Sequence, residues 1–300
     1  MYFCFFVHIF ITKRTSMKVA FKFVLYLIPV AIILVSCQKE VSPDTLPNTG
    51  GGGTGGGGGQ TGSCNNTVMK LKKWQATYDP NHYIETAWNS DGTIQSIKVN
   101  VPLSEYMTAK FIYAGGRIKE AVLLDNATSA VYDTAVYHYN SAGKVDSMYL
   151  KNDDYFDISL TYNSNNKLVK YTRYASGGVM FYWTIVTDAN DNIIKAEEYW
   201  HNGTSFDKES TFTFTRDTKK NPLAGLSPYM MYLNDDYESF WYWGANNYTD
   251  QRYQDHTGSG IDLTTGFKFK YNASCYPISA QNTIMGQTVF TDDDFVFTYY

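Results

Sequence analysis

The chain has 300 residues, a formal net charge of −4, and 44% hydrophobic and 17% aromatic residues. Lys13, Arg14, Lys18 and Lys22 all precede Cys37 and no acidic residue does, so the part from Cys37 onward carries 21 basic against 29 acidic side chains. That balance of −8 repels phosphate backbones and excludes nucleic acid as a partner.

Residues 1–16 include the apolar run MYFCFFVHIFI and fit poorly in front of an export signal. Met17-Lys18 is the more natural start, so 1–16 reads as an upstream mis-start or an extended n-region. Phe23 to Ile33 is apolar but shorter than the roughly 20 residues a membrane-spanning helix wants. It ends in Leu34-Val35-Ser36-Cys37, which resembles the lipobox of bacterial lipoproteins. The resemblance implies a signal peptide over 17–36, cleavage, acylation of Cys37 and tethering to a membrane through that lipid. Asp is absent after the cysteine, which by resemblance to lipoprotein sorting argues for the outer membrane. Gln38-Lys39-Glu40 resembles the export signal of Bacteroidetes-type surface lipoproteins, implying the cell surface over the periplasmic face. The rest of 37–62 is linker: Pro43, Pro47, Gly50 to Gly53 and Gly55 to Gly59 have nothing to bury and cannot offset their ordering entropy. The glycine run is no phosphate loop, since it follows no strand and lacks a Gly-Lys-Ser/Thr ending.

Residues 63–300 form one domain built on a unit that recurs about every 25 residues. Its clearest copies are Tyr139-Asn140-Ser141-Ala142-Gly143-Lys144-Val145 and Tyr162-Asn163-Ser164-Asn165-Asn166-Lys167-Leu168. Looser copies start at Trp88 and Thr187, a shorter one at Tyr113, and degenerate ones span Phe214 to Leu223 and Tyr271 to Ile278. Large apolar residues two positions before each anchor (Phe111, Tyr137, Leu160, Ile185) give a period of two, hence a strand with one buried face. The Asn/Ser/Asp/Gly cluster then favours a tight turn. Past the turn, apolar residues three apart (Ile94 and Ile97, Val145 and Met148) fall on one face only if a bulge intervenes. No long three-four apolar rhythm follows Cys37. The reading is all-β: an antiparallel meander of repeated hairpins curled into a soluble barrel or half-barrel. Phe295 to Tyr300 resembles the closing strand of outer-membrane barrels, but a lipid anchor and polar hairpin faces favour the soluble form.

The Tyr-Asn-x-x-Gly-Lys hairpins resemble the YD-repeat shells of RHS-type proteins. Joined with the lipobox, the linker, Asn221-Pro222-Leu223, Asn246-Asn247 and Tyr276-Pro277, they more closely resemble a Bacteroidetes-type lipoprotein family of unknown function with a porin-like antiparallel fold. Cys275 stands where that pattern has a turn glycine. The resemblance covers most of 63–300 and brings no activity and no site residues.

With Cys4 removed and Cys37 acylated, Cys64 and Cys275 remain in an oxidising compartment, either as a disulfide or as two separate thiols. The densest aromatic stretch is Tyr237, Phe240, Trp241, Tyr242 and Trp243, followed by Asn246, Asn247 and Tyr248. It reads either as a strand buried on both faces or as a stacking platform, for which Trp241, Trp243, Tyr248 and Asn246 are the ligand-binding candidates. Asp153-Asp154, Asp235-Asp236, Asp292-Asp293-Asp294 and Asp188-x-Asn190-Asp191-Asn192 sit at expected turns and complete no calcium loop, so neither metal nor cofactor is expected. His82, His138, His201 and His256 are scattered, and no catalytic residue is assigned. The function expected is a surface-exposed, lipid-anchored binding module for a glycan or an envelope or host protein. The alternatives are a structural envelope lipoprotein and, more distantly, a hydrolase using two carboxylates from among Glu85, Glu105, Glu197, Glu198 and Glu238.

Overall fold

In a computed structural model, residues 64–65, 67–100, 106–153, 157–233, 240, 242–284, 287–288 and 294–300 are described. The signal segment, Cys37, the glycine-rich linker and Trp241 lie outside the described residues. The chain divides into two units, Met1–Gly62 and Ser63–Tyr300, and the second holds all of the described residues.

Its strands are β1 (Leu71–Ala76), β2 (Tyr83–Trp88), β3 (Ile94–Asn100), β4 (Met107–Ala114), β5 (Arg117–Asp125) and β6 (Val131–Tyr139). Next come β7 (Val145–Leu150), β8 (Asp157–Tyr162), β9 (Leu168–Ala175), β10 (Gly178–Thr187), β11 (Ile193–His201) and β12 (Phe206–Lys220). One helical turn, α1 (Ser227–Met230), precedes β13 (Asn246–Asp255), β14 (Asp262–Tyr271), β15 (Pro277–Ile284), β16 (Gln287–Thr288) and β17 (Phe295–Tyr299). Each of β1 to β15 pairs antiparallel with the next, β15 also pairs with β17, and β17 pairs with β1. The sheet is therefore a closed barrel of sixteen strands, with β16 only a short addition to β15, and the half-barrel alternative falls away.

One turn is used five times. At Asn89, Asn140, Asn163, Asp188 and Asn272 the N–H donates to the carbonyl four residues on (2.8–3.0 Å), and the fourth residue's N–H donates back (2.9–3.3 Å). That fourth residue has positive φ: Gly92, Gly143, Asn166, Asp191 and Cys275. The first residue's side-chain oxygen accepts further N–H groups, as Asn163 Oδ1 does from Asn165 and Lys167. This explains why Asn and Asp recur there. The expected bulges are present. Gln95, Lys119, Asp146, Val169, Ile194 and Ile278 each oppose no partner, so Ile94 and Ile97, or Val145 and Met148, face inward together. Cys275 sits at the glycine position of its turn and is bonded to Cys64 (Cα–Cα 5.4 Å), joining the start of the domain to the β14–β15 hairpin.

Two expectations are corrected. Phe214 to Leu223 is no hairpin, because β12 runs through to Lys220, and the described part of the Phe240–Trp243 stretch is no strand. The described parts of the connection, 221–233, 240 and 242–245, instead turn into the barrel as a plug. From there Tyr229 meets Phe111 and Tyr137 (5.9 and 5.2 Å between ring centres), and Phe240 meets Tyr171 and Trp183 (6.1 and 5.5 Å). The physical reason is width. About eight strands let wall side chains fill a barrel, whereas sixteen leave a lumen. Leu223, Leu226, Met230, Met231, Leu233 and Phe240 join the wall residues in one apolar core. Each such fully buried side chain contributes about 1.5–3 kcal/mol.

The outer wall carries ion pairs beside exposed apolar residues such as Ile112, Val131 and Val186. Lys151, just past β7, reaches across β6 to Glu120 on β5 (3.0 Å), while Lys195 and Lys208 pair with Glu197 (2.9 and 2.7 Å) and Arg252 with Asp262 (2.5 Å) on the same or neighbouring strands. Individually these pairs stabilise little. Their location matters more, because a lipid-facing band would be apolar there.

Candidate functional site

The two ends of the plug and the five tight turns lie on one rim, together with the Cys64–Cys275 bond. Asn221 staples the plug's ends, its Nδ2 donating to the carbonyls of Tyr242 (2.8 Å) and Gly244 (3.0 Å). Trp243 is 8% exposed and Tyr248 7%, the latter packing edge-on against Phe214 and Phe267. Asn246 is held by Asn192, whose Oδ1 accepts its N–H (2.9 Å) and whose Nδ2 donates to its Oδ1 (2.9 Å). A Cβ on Gly244 would overlap the backbone of Asn192, so only glycine lets the plug leave past the β10–β11 turn. Arg216 points inward and donates to the carbonyls of Phe240 (2.8 Å) and Ile193 (3.2 Å). Burial pulls its guanidinium down to about 10, against the opposing influence of Tyr248, Asp188 and Asp217. Of the sequence candidates, the structure thus brings Trp243, Tyr248 and Asn246 together as the seat of the plug, with the two aromatic residues turned away from solvent.

At the same rim neighbouring hairpins part. β7 and β8 pair only at Ser147–Ser159 and Met148–Ile158. Where the ladders stop, tyrosine hydroxyls replace backbone donors: Tyr113 to Ile94 O (2.8 Å), Tyr139 to Ile118 O (2.5 Å), Tyr162 to Val145 O (2.9 Å) and Tyr299 to Pro277 O (2.7 Å). This is the physical role of the repeated tyrosine. Burial pushes the Tyr139 and Tyr162 hydroxyls up, so they remain donors across the physiological range. Lysines tie adjacent turns sideways, as Lys144 does to Asn166 O (2.6 Å) and Lys167 to Asp191 (2.5 Å). Burial pushes the Asp191 carboxyl up, but the Lys167 hydrogen bond and the Lys144 charge outweigh it and hold the group below the ordinary carboxylate range.

Two recesses result. A polar groove of ≈490 Å³ lies between β7 and β8, lined by Asn140, Asp146, Ser147, Thr161, Tyr162 and Asn163. A second of ≈370 Å³ opens between β13 and β14, lined by Phe267, Phe269, Tyr271, Asp217, Asp250 and Lys268. Its cause is local. The β13–β14 ladder ends at Asp250–Gly266, where a Cβ on Gly266 would overlap the Thr249 carbonyl, and beyond that contact the strands separate. Across the gap Tyr271 donates its hydroxyl to Asp217, whose other oxygen accepts from Lys219 N (2.9 Å) and Asn247 N (3.2 Å). The sequence carried a signal for this slot in a lone glycine inside a strand, which marks a close backbone approach. The lining residues themselves read only as ordinary strand positions.

The other chemical candidates among the described residues are dispersed, and Glu105, Asp154, Asp235, Asp236, Glu238, Asp292 and Asp293 lie outside them. His138 is exposed and stacks on Tyr149 (5.6 Å), His201 meets Phe206 (5.0 Å), and His256 Nε2 lies 2.8 Å from Thr211 Oγ1. Glu197 faces out to its lysines, whereas Glu198 accepts from Trp200 Nε1 (2.7 Å) and Ser210 (2.7 Å) on the opposite face, so these adjacent carboxylates form no pair. Asp188 and Asp191 shape their turn, and among the described residues no group of three or more His, Cys, Asp or Glu is placed to hold a metal ion.

No protein-family model and no curated protein matches the chain. Among solved structures it is similar to a porin-like protein from Bacteroides uniformis ATCC 8492, at 13% identity and a TM-score of 0.48 over 80% of this chain and 100% of that one. It is also similar to a porin-like protein from Bacteroides vulgatus ATCC 8482, at 12% identity and 0.40 over 77% of this chain and 99% of that one. A structure of TcdB2-TccC3-TEV matches 76% of this chain and 13% of its own, at 11% identity and 0.30.

Proposed function

We propose that this protein is a lipid-anchored module of the bacterial outer membrane that presents a plugged, water-facing barrel to bind an envelope ligand, a glycan or a protein. One observation carries the reading: apolar side chains and a plug occupy the inside while ion pairs stand on the outside. That polarity is the reverse of a lipid-embedded conduit, whose outer band is apolar and whose lumen is polar. A barrel so built neither passes solutes nor needs strands in the bilayer, and a lipid on Cys37 is the attachment it requires. What it offers to a partner is its surface, above all the recesses of the turn rim.

The full chain, expressed in a bacterium that processes lipoproteins, tests this in three steps. Radiolabelled palmitate enters the wild type and is absent from Cys37→Ala. Protease added to intact cells removes the domain. Affinity capture with the acylated protein, held in detergent, enriches a glycan or a protein from envelope extracts. Palmitate incorporation into Cys37→Ala refutes the anchor, and failure to enrich any component leaves a structural lipoprotein in its place.

A further inference from the structure

We infer that the slot between β13 and β14 binds an uncharged sugar residue of a glycan chain. The inference rests on the binding-module reading above and names its site and ligand class. Phe267 and Phe269 are half-buried, and their mutual contact and those with Tyr248, Tyr271, Phe295 and Phe297 are tilted or edge-on, at 41° to 83°. Neither ring lies in a parallel stack, and both line the slot with apolar surface of the kind that sugar C–H groups cover. The lining also holds Asp250, whose carboxylate takes no hydrogen bond from any described residue. Asp217 lies opposite and the hydroxyl residues Thr249 and Thr283 complete the lining.

Charge selects the ligand class. Two carboxylates disfavour an anionic ligand, and Lys268 in the same lining disfavours a cation. A neutral polyol suits this lining, donating hydroxyls to the carboxylate while its apolar face meets the rings. The volume of ≈370 Å³ is at the small end of ligand pockets, which run from roughly 300 to 1,000 Å³, and suits part of a chain entering from the side. The slot is preformed, because Gly266 fixes its apex and the Tyr271–Asp217 hydrogen bond spans it.

The test is affinity electrophoresis of the acylated full chain in detergent, in gels containing neutral polysaccharides (a β-glucan, an α-mannan, a xylan, glycogen) or anionic ones (polygalacturonate, heparin). Retardation by at least one neutral polymer is expected. It is expected to weaken roughly tenfold in both Phe269→Leu, which keeps apolar volume without the flat ring, and Asp250→Asn, a half-buried substitution with little folding risk. Thermal melting of each variant separates lost binding from lost fold. Retardation that persists in both variants overturns the site, and retardation by the anionic polymers alone overturns the ligand class. No retardation by any glycan, with a protein recovered in the envelope capture, overturns the sugar inference while the binding-module reading stands. Failure of both assays ends both.

Discussion

The wall that faces the plug and the wall that carries the slot are made of the same kind of strands and rings, yet they are finished differently. On β9 and β10, Tyr171 and Trp183 are fully buried and meet the plug's Phe240 edge-on. On β14, Phe267 and Phe269 pack in a smaller, separate cluster with Ala76, Ala280 and Phe295 and stay half-buried. The difference teaches that the plug divides the barrel's labour. Where it lies against the wall, aromatic residues contribute stability. Where neighbouring strands part, similar residues are left with surface to spare.

The comparison is broken most directly by truncating one ring on each side. Trp183→Ala removes a fully buried side chain and is expected to cost about 3–5 kcal/mol, measured by urea unfolding. Phe269→Leu on the slot wall is expected to cost less than about 1.5 kcal/mol. Equal losses would mean that the slot is packed as tightly as the core. Next in size is the plug's exit. Gly244→Ala places a methyl group into the Asn192 backbone at a residue with φ of 103° and is expected to destabilise by about 1–3 kcal/mol. Hydrogen exchange should show the loss concentrated in the 221–245 connection. An unperturbed plug would show that its seat is elsewhere.

Smaller again is the hydroxyl ladder. Tyr139→Phe leaves Ile118 O without its donor and breaks the 3.3 Å contact between the hydroxyls of Tyr139 and Tyr229, for an expected loss of about 1–2 kcal/mol in the same unfolding assay. The least effect belongs to the outer wall. Hydrogen bonds from Lys208 and then Lys195 lower the Glu197 carboxyl from its ordinary value of 4.5 to about 2. Its stabilisation is therefore complete above pH 4.5 and is lost as pH falls toward 2. For a surface group this amounts to less than about 1 kcal/mol. Glu197→Gln should flatten that segment of the stability–pH curve and leave neutral-pH stability nearly unchanged.

The local design was legible because it is written in short-range chemistry. Asn140 to Lys144 and Asn163 to Lys167 announce their turns through side chains that bond their own backbone. The odd spacing of Ile94 and Ile97 announces a bulge, since period-two geometry allows no other way for both to face inward. His138, between Tyr137 and Tyr139, was placed outside by the same alternation and is exposed. Such patterns decide all-β structure, antiparallel order and which face is greasy.

What they cannot carry is circumference. Whether the meander stays open or closes depends on the pairing of β1 with β17, two segments at opposite ends of the domain. Only once that ring is sixteen strands wide does a lumen exist for Phe240 and Trp243 to fill, which is why a stretch that reads as a strand becomes a plug. The slot likewise arises from a backbone approach at Gly266 between strands whose separation no local pattern encodes. Hairpin chemistry acts over a few residues and is therefore inscribed in them. Closure, filling and the places where strands part are set by distances across the barrel, which exist only after the chain has come together.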